Sequence, residues 1–142
     1  MTEPKSQWRC TIPGPPIGKG RPRATSVNGF IRTYTPKKTA QWEAVAASTL
    51  MDKWSRPPLE GPVSVGVLAL FPRPQRMLWK KKPMPREPYC QKPDADNVVK
   101  AVLDALEKAG VLRDDKLVWS VDCVALYCSG DESPCVGVRV GW

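Results

Sequence analysis

The sequence predicts an α+β fold: a single domain over residues 1–142, built from a mixed β-sheet and two principal helices. Three observations point there. Apolar residues recur at helical spacing in two places, at Trp42, Val45, Ala46 and Leu50 and again at Val99, Val102, Leu103 and Leu106. The nine-residue run from Val63 to Phe71 is rich in β-branched side chains and follows Gly61-Pro62, the pattern of a strand. The other strand-like segments do not alternate strictly with the helices, as they would in a parallel α/β sheet. At 142 residues, 42% hydrophobic and 25% charged, the chain is long enough to bury one core and unlike disordered or collagen-like sequences.

From the N-terminus, Trp8 to Ile12 reads as a strand, ended by Pro13-Gly14-Pro15-Pro16 because proline fixes φ and lacks the donor a ladder needs. Gly18 to Arg23 follows as a basic loop, and Phe30 to Tyr34 as a second strand entered through an Asn28-Gly29 turn. Thr35-Pro36 reads as an N-cap with proline at the first helical position. The first helix then runs to Trp54, before Pro57-Pro58, with Trp42 and Trp54 as core or interface residues. After the 63–71 strand, residues 73–92 lose all periodicity. Seven basic residues stand there against one acid, interrupted by four prolines, a composition that neither a helix nor a central strand tolerates. The second helix spans Asp96 to Ala109 and stops at Gly110. Arg113-Asp114-Asp115 turns the chain into a strand from Leu117 to Tyr127, and Val136 to Val140 is expected to pair with that strand across a Gly130-Asp131 turn.

The formal charge is +8, which favours a polyanionic partner. Its distribution is uneven. Through Lys92 there are 17 basic and 5 acidic residues, a balance of +12; from Asp94 onward there are 5 basic and 9 acidic, a balance of −4. That suits one surface for phosphates and another for a cation. With no histidine in the chain, Ser/His/Asp hydrolases, Cys/His proteases and His-ligated metal nucleases are excluded. Five cysteines with no CxxC pair argue against a disulfide framework and against structural zinc. No apolar run approaches the ~20 residues of a membrane span, so no membrane partner is expected and the expected location is the cytoplasm.

The most informative segment is Lys92-Pro93-Asp94-Ala95-Asp96-Asn97-Val98-Val99-Lys100. If Asp94 and Asp96 lie on an extended entry to the helix, a period of two turns both carboxylates the same way. Lys100 is one helical turn beyond Asp96 and reaches the same region. Asp114-Asp115 can supply a further carboxylate if the chain folds back after Gly110. An oxygen-only site of this kind suits Mg²⁺ or Mn²⁺. The bland alternative stays open on spacing alone: Asp96 as an N-cap, Asp94 solvated, Lys100 paired with Asp96 or Asp104, and Asp114-Asp115 as a polar turn. Asp104 reads as structural.

That segment, extended through Ala101-Val102-Leu103-Asp104-Ala105-Leu106 and followed by Gly110-Val111 and Arg113-Asp114-Asp115-Lys116-Leu117-Val118, resembles the signature of RusA-type Holliday junction resolvases. The opening Pro15-Pro16, Lys19-Gly20-Arg21-Pro22-Arg23 and Tyr34-Thr35-Pro36 resembles that family's N-terminal block. The resemblance runs from about Ile12 to Val121. It implies a RusA-like fold and a small homodimeric endonuclease, often phage- or prophage-encoded, that cuts four-way DNA junctions with Mg²⁺ or Mn²⁺. It also implies Asp94, Asp96 and Asp115 as metal-binding catalytic aspartates and Lys100 as the catalytic lysine.

Two basic groups are expected to grip DNA phosphates without reading bases: Lys19, Arg21 and Arg23, and then Arg73, Arg76, Lys80, Lys81, Lys82, Arg86 and Lys92. Trp79, beside the lysine triplet, is either a wedge that stacks on an unpaired base or an anchor for its loop. The expected function is therefore structure-selective, Mg²⁺-dependent cleavage of branched DNA in recombination and repair. The rivals are a non-catalytic protein that binds or shapes junctions and a metal-dependent nucleotide hydrolase.

Overall fold

The computed structural model describes residues 5–19, 23–34, 37–79 and 84–142. Arg21, Lys80, Lys81, Lys82 and the expected Thr35-Pro36 helix start lie outside the described residues. In chain order the elements are β1 (Gln7–Pro13), β2 (Arg23–Val27), β3 (Phe30–Tyr34), α1 (Lys37–Lys53), β4 (Val63–Phe71), β5 (Glu87–Pro88), α2 (Ala95–Lys108), β6 (Val118–Tyr127) and β7 (Cys135–Gly141). Single 3₁₀ turns stand at Gln75–Met77 and Asp115–Leu117. The expected α+β architecture, a mixed sheet with two helices, is what the chain forms.

Five strands make one sheet in the order β1-β7-β4-β6-β5, with β4 parallel to β6 and antiparallel to β7. This corrects the expected pairing of Val136 to Val140 with the 117–127 strand, because β4 lies between them. The reason is burial. β4 is covered along nearly its whole length, and a strand apolar on both faces takes the centre of a sheet, whereas the residues between Tyr127 and Cys135 are enough to step across one strand. A second, two-stranded sheet pairs β2 with β3. Its turn is the expected Asn28-Gly29, both at positive φ (52° and 80°), as a tight hairpin requires. Only Arg23 of β2 falls in the expected basic loop, and the sequence reading assigns no strand to residues 24–27, since this short polar run carries no apolar alternation.

The two helices pack on each other, with α1 against β1 and α2 over β4 and β6. Trp42 and Trp54 are both buried in this core. The buried stripe of α2 is Val98, Ala101, Val102, Ala105 and Leu106, while the expected Val99 and Leu103 are only half-buried at its rim. Large side chains drew the sequence-based face one position too far. Ala101 and Ala105 are fully buried although their side chains are too small to stand out in an apolar pattern. The outer edge of β6 pairs with β5 only at its end, so over residues 118–124 no described strand covers it, and Trp119 and Val121 there are 56% and 44% exposed.

Candidate active site

Asp94 is extended (φ −74°, ψ 167°), and its carboxylate accepts the Asn97 amide at 3.0 Å. It is therefore the N-cap, and α2 starts at Ala95, one residue earlier than expected. Asp96 falls in the first helical turn rather than on an extended entry, so the two carboxylates are not related by strand periodicity. Both lie at the helix N-terminus, where the macrodipole favours negative charge. Lys100 Nζ lies 3.3 Å from Asp96, one turn on, with both side chains largely exposed.

Asp96, Lys100, Asp104 and Glu107 recur at helical spacing and form one polar stripe along α2. At its C-terminal end the chain reverses through Gly110 at φ +80°, with the amides of Gly110 and Val111 closing on the carbonyls of Glu107 and Leu106. Arg113 and Leu59 then tie the returning strand in place. Asp114 caps the next 3₁₀ turn by accepting the Lys116 amide at 2.9 Å. Asp115 is left to face the helix. One ligand oxygen each from Asp104, Glu107 and Asp115 lie within 4.8 Å of one another. Desolvation, followed by the carboxylates of Asp115, Asp114 and Asp104, pushes the Glu107 carboxyl above its usual range. Among the described residues this is the group of three acids close enough to hold a cation, and it includes Asp115 but neither Asp94 nor Asp96. At 1.5 Å of rise per residue, Asp96 and Asp104 are ~12 Å apart along the helix.

Lys19, expected to meet phosphate, is committed inside the protein. Its ammonium reaches Glu43 at 2.7 Å and Asp104 at 2.8 Å. Hydrogen bonds to Asp104 and Glu43 raise its pKa. Its backbone amide donates to the Asn97 carbonyl at 3.0 Å. The loop comes that close because residue 18 is glycine; a Cβ there would stand 2.5 Å from the Cβ of Pro93.

The 73–92 segment is organised by Arg73, whose side chain is 2% exposed. Its guanidinium donates to the carbonyls of Met77, Pro85 and Cys128 and to the Glu87 carboxylate, and it lies 4.8 Å from the Trp79 ring centroid. Arg73 therefore builds the loop instead of meeting a phosphate. Trp79 is held on one side by that contact yet remains partly exposed. Tyr89, which no sequence pattern singles out, stacks on Phe71 at 3.6 Å and donates to the Lys92 carbonyl. Arg76 and Lys92 are exposed, and Arg23 lies in β2. Arg86 is paired with Glu132.

The Arg86 guanidinium, helped by the Ser129 amide, draws the Glu132 carboxyl from 4.5 to about 2. A depressed carboxyl contributes stability that is present above its unfolded pKa and lost as pH falls. Glu132→Gln should therefore flatten the loss of thermal stability between about pH 4.5 and 2. Solvent screening of this part-exposed pair keeps the effect below about 1 kcal/mol. Melting curves across that range check it; superimposable curves for variant and parent would show that the pair contributes nothing.

Sequence comparison decides the family. The profile described as Endodeoxyribonuclease RusA matches residues 13–141, which takes in both helices and every residue of the acidic stripe. The chain belongs to the RusA family. It is 30% identical to the protein YqaN of Bacillus subtilis (strain 168), over 93% of this chain and 94% of that one. It is 25% identical to the crossover junction endodeoxyribonuclease RusA of Aquifex aeolicus (strain VF5), over 76% of this chain and 73% of that one. Within this RusA fold the sequence-based reading did not single out Glu107 or Glu43, while Asp104, read as structural, does hold an ion pair with Lys19 at 2.8 Å beside Glu107 and Asp115. The spacing of Asp96, Lys100 and Asp104 at intervals of four was the available signal for one continuous stripe. No described helix is long and apolar enough to cross a membrane.

Proposed function

We propose that this chain is a structure-selective endonuclease that resolves four-way DNA junctions by Mg²⁺- or Mn²⁺-dependent phosphodiester hydrolysis. It would serve recombination and repair inside a bacterium or a phage-infected cell. The observation that carries the proposal is the family match over residues 13–141, a span that includes Asp94, Asp96, Lys100 and Asp115. The resemblance assigns the junction-cutting role to those four residues.

The donor chemistry fits the cation. Among the described residues three carboxylates converge, at Asp104, Glu107 and Asp115, with the Lys19 ammonium 2.8 Å from Asp104, and a hard divalent ion prefers oxygen ligands with room left for water and phosphate. When bound, such an ion would polarise the phosphate and stabilise the charge of the attacking and leaving oxygens. The proposed metal residues are Asp94, Asp96 and Asp115. Lys100, beside Asp96 and exposed, is able to swing onto the scissile phosphate and neutralise charge that grows in the transition state. Asp96 and Asp115 stand at opposite ends of the stripe in one chain, too far apart to share an ion. A homodimer gives them a way to meet, because a two-fold axis can set the start of one α2 against the end of the other. The bare outer edge of β6, with Trp119 and Val121 exposed, offers a surface for that contact. Sedimentation at the single-chain mass of 15.8 kDa would remove the dimer from the proposal.

The test is incubation with a labelled four-way junction, a linear duplex and a nucleotide, each with and without Mg²⁺. Nicking confined to the junction and to Mg²⁺ is expected. Binding without nicking would leave a junction-binding protein, and phosphate release from the nucleotide a hydrolase.

The grip on DNA is assigned to Arg21, Arg23, Arg76, Lys80, Lys81, Lys82 and Lys92. Replacing Lys80, Lys81 and Lys82 together by alanine should weaken binding to junction and duplex alike. It should also flatten the salt dependence, by about 0.9 in log–log slope for each phosphate that is no longer neutralised. Trp79→Ala should cost roughly 1–3 kcal/mol on the junction and much less on duplex, which offers no unpaired base to stack. Titrations of both variants on both DNAs over a range of salt check this. An unchanged slope would make the lysines a solvated face, and equal losses on both DNAs would make Trp79 a loop anchor only.

A further inference from the structure

Glu43 is 6% exposed, the one buried acid among the described residues. A carboxylate removed from water must be paired, and Glu43 has two lysines, Lys19 at 2.7 Å and Lys108 at 3.4 Å. They differ in what else they touch. Lys19 is anchored by its amide at the start of α2, on the Asn97 carbonyl, while its ammonium bridges from Glu43 to Asp104, two turns further along the helix. Asp104 is in turn one of the three acids whose ligand oxygens lie within 4.8 Å. We infer that Glu43 is a positioning residue for the acidic end of the stripe, where the proposed metal residue Asp115 stands: it fixes Lys19, and Lys19 fixes Asp104 beside Glu107 and Asp115.

The direction of control follows from burial. Glu43 sits on α1 inside the helix–helix contact and cannot relocate its charge, so it sets where the ammonium rests. Asp104 is half-exposed and adjoins two like charges that would drive it toward solvent if the ammonium were gone. Lys108 shares Glu43 but has no part in holding Asp104 and serves as the internal control.

The inference rests on the nuclease reading for its functional meaning, and the test is built so that either can fail alone. Mn²⁺ alone is titrated calorimetrically into the DNA-free protein, and junction cleavage is measured separately, for the parent and for Glu43→Gln, Lys19→Met, Lys19→Arg, Lys108→Met and the double variant Glu43→Gln/Lys19→Met. Circular dichroism melts identify variants that no longer fold. Positioning predicts that Glu43→Gln and Lys19→Met each weaken Mn²⁺ binding roughly tenfold. The double variant should be no worse than either, Lys19→Arg should recover part of the loss, and Lys108→Met should match the parent. If charge alone mattered, removing a cation would tighten Mn²⁺ binding and removing an anion would loosen it. Opposite shifts for Lys19→Met and Glu43→Gln therefore overturn the inference, as do additive losses or a parent that binds no Mn²⁺. A parent that shows the expected Mn²⁺ pattern and cuts no DNA would sink the nuclease reading and leave the inference standing.

Discussion

Asp96→Asn is expected to abolish junction cleavage and leave junction affinity almost untouched. The substitution keeps the shape of the side chain and removes the charge that a divalent cation needs. A ligated cation supplies several kcal/mol of transition-state stabilisation, and at about 1.4 kcal/mol per factor of ten the loss should be on the order of 10³ in turnover. Folding should not suffer, because Asp96 is 77% exposed and its pair with Lys100 is a surface i, i+4 contact. Affinity should hold because the proposed grip is spread over basic residues elsewhere. Asp94→Asn should behave alike for a separate reason: asparagine caps a helix as well as aspartate, so the Asn97 amide keeps its acceptor and only the charge is removed. The same logic ranks the pair after α2. Asp114 is spent on the Lys116 amide and Asp115 faces the acidic stripe, so Asp115→Asn should be the severe variant and Asp114→Asn the mild one. Single-turnover cleavage with Mg²⁺, beside binding without metal, separates these effects. Near-parental cleavage by Asp96→Asn would remove it from the metal-binding set.

The parts legible in the sequence are those decided by local chemistry. Val63 to Phe71, the helix ended by Gly110 and the Asn28-Gly29 turn each follow from the conformational preferences of their own residues, and each stands where expected. Sheet order was not legible. Two consecutive strands look like a hairpin until a third, more thoroughly apolar strand claims the place between them, and that competition is settled only in the packed sheet. The candidate site divides in the same way. The pairing of Asp96 with Lys100 could be read from one turn of helix, whereas the expected extended relation of Asp94 to Asp96 gives way to an N-cap, and the company of Asp115 depends on how the chain reverses after α2. Basic residues were the least legible. Sequence shows a positive charge but not its partner, so Arg73 and Lys19 read as phosphate contacts although carbonyls and carboxylates of the folded chain surround them.

For Lys100→Ala the expected result is a fall in turnover of about 10²–10³ with junction affinity nearly unchanged, the size typical of removing one positioned charge from a developing oxyanion. Three features of its setting separate this from a binding defect. The chain carries 22 Lys and Arg, so one fewer changes the attraction to a polyanion only slightly and the salt slope by about one phosphate at most. Lys100 stands 3.3 Å from Asp96 on the exposed stripe, so its charge is delivered beside a proposed metal-binding aspartate rather than out on the basic loops. Its removal should leave stability within about 0.5 kcal/mol, since an exposed i, i+4 pair is worth no more than that. Lys100→Arg keeps the charge on a longer, planar group and should recover only part of the rate, because a compact ammonium and a guanidinium fork do not meet a phosphate oxygen at the same place. The measurement is cleavage rate against DNA concentration, with Mg²⁺ saturating. A defect that disappears at high DNA concentration would move Lys100 into the binding surface, and a defect that persists at every concentration would place its ammonium at the reacting phosphate.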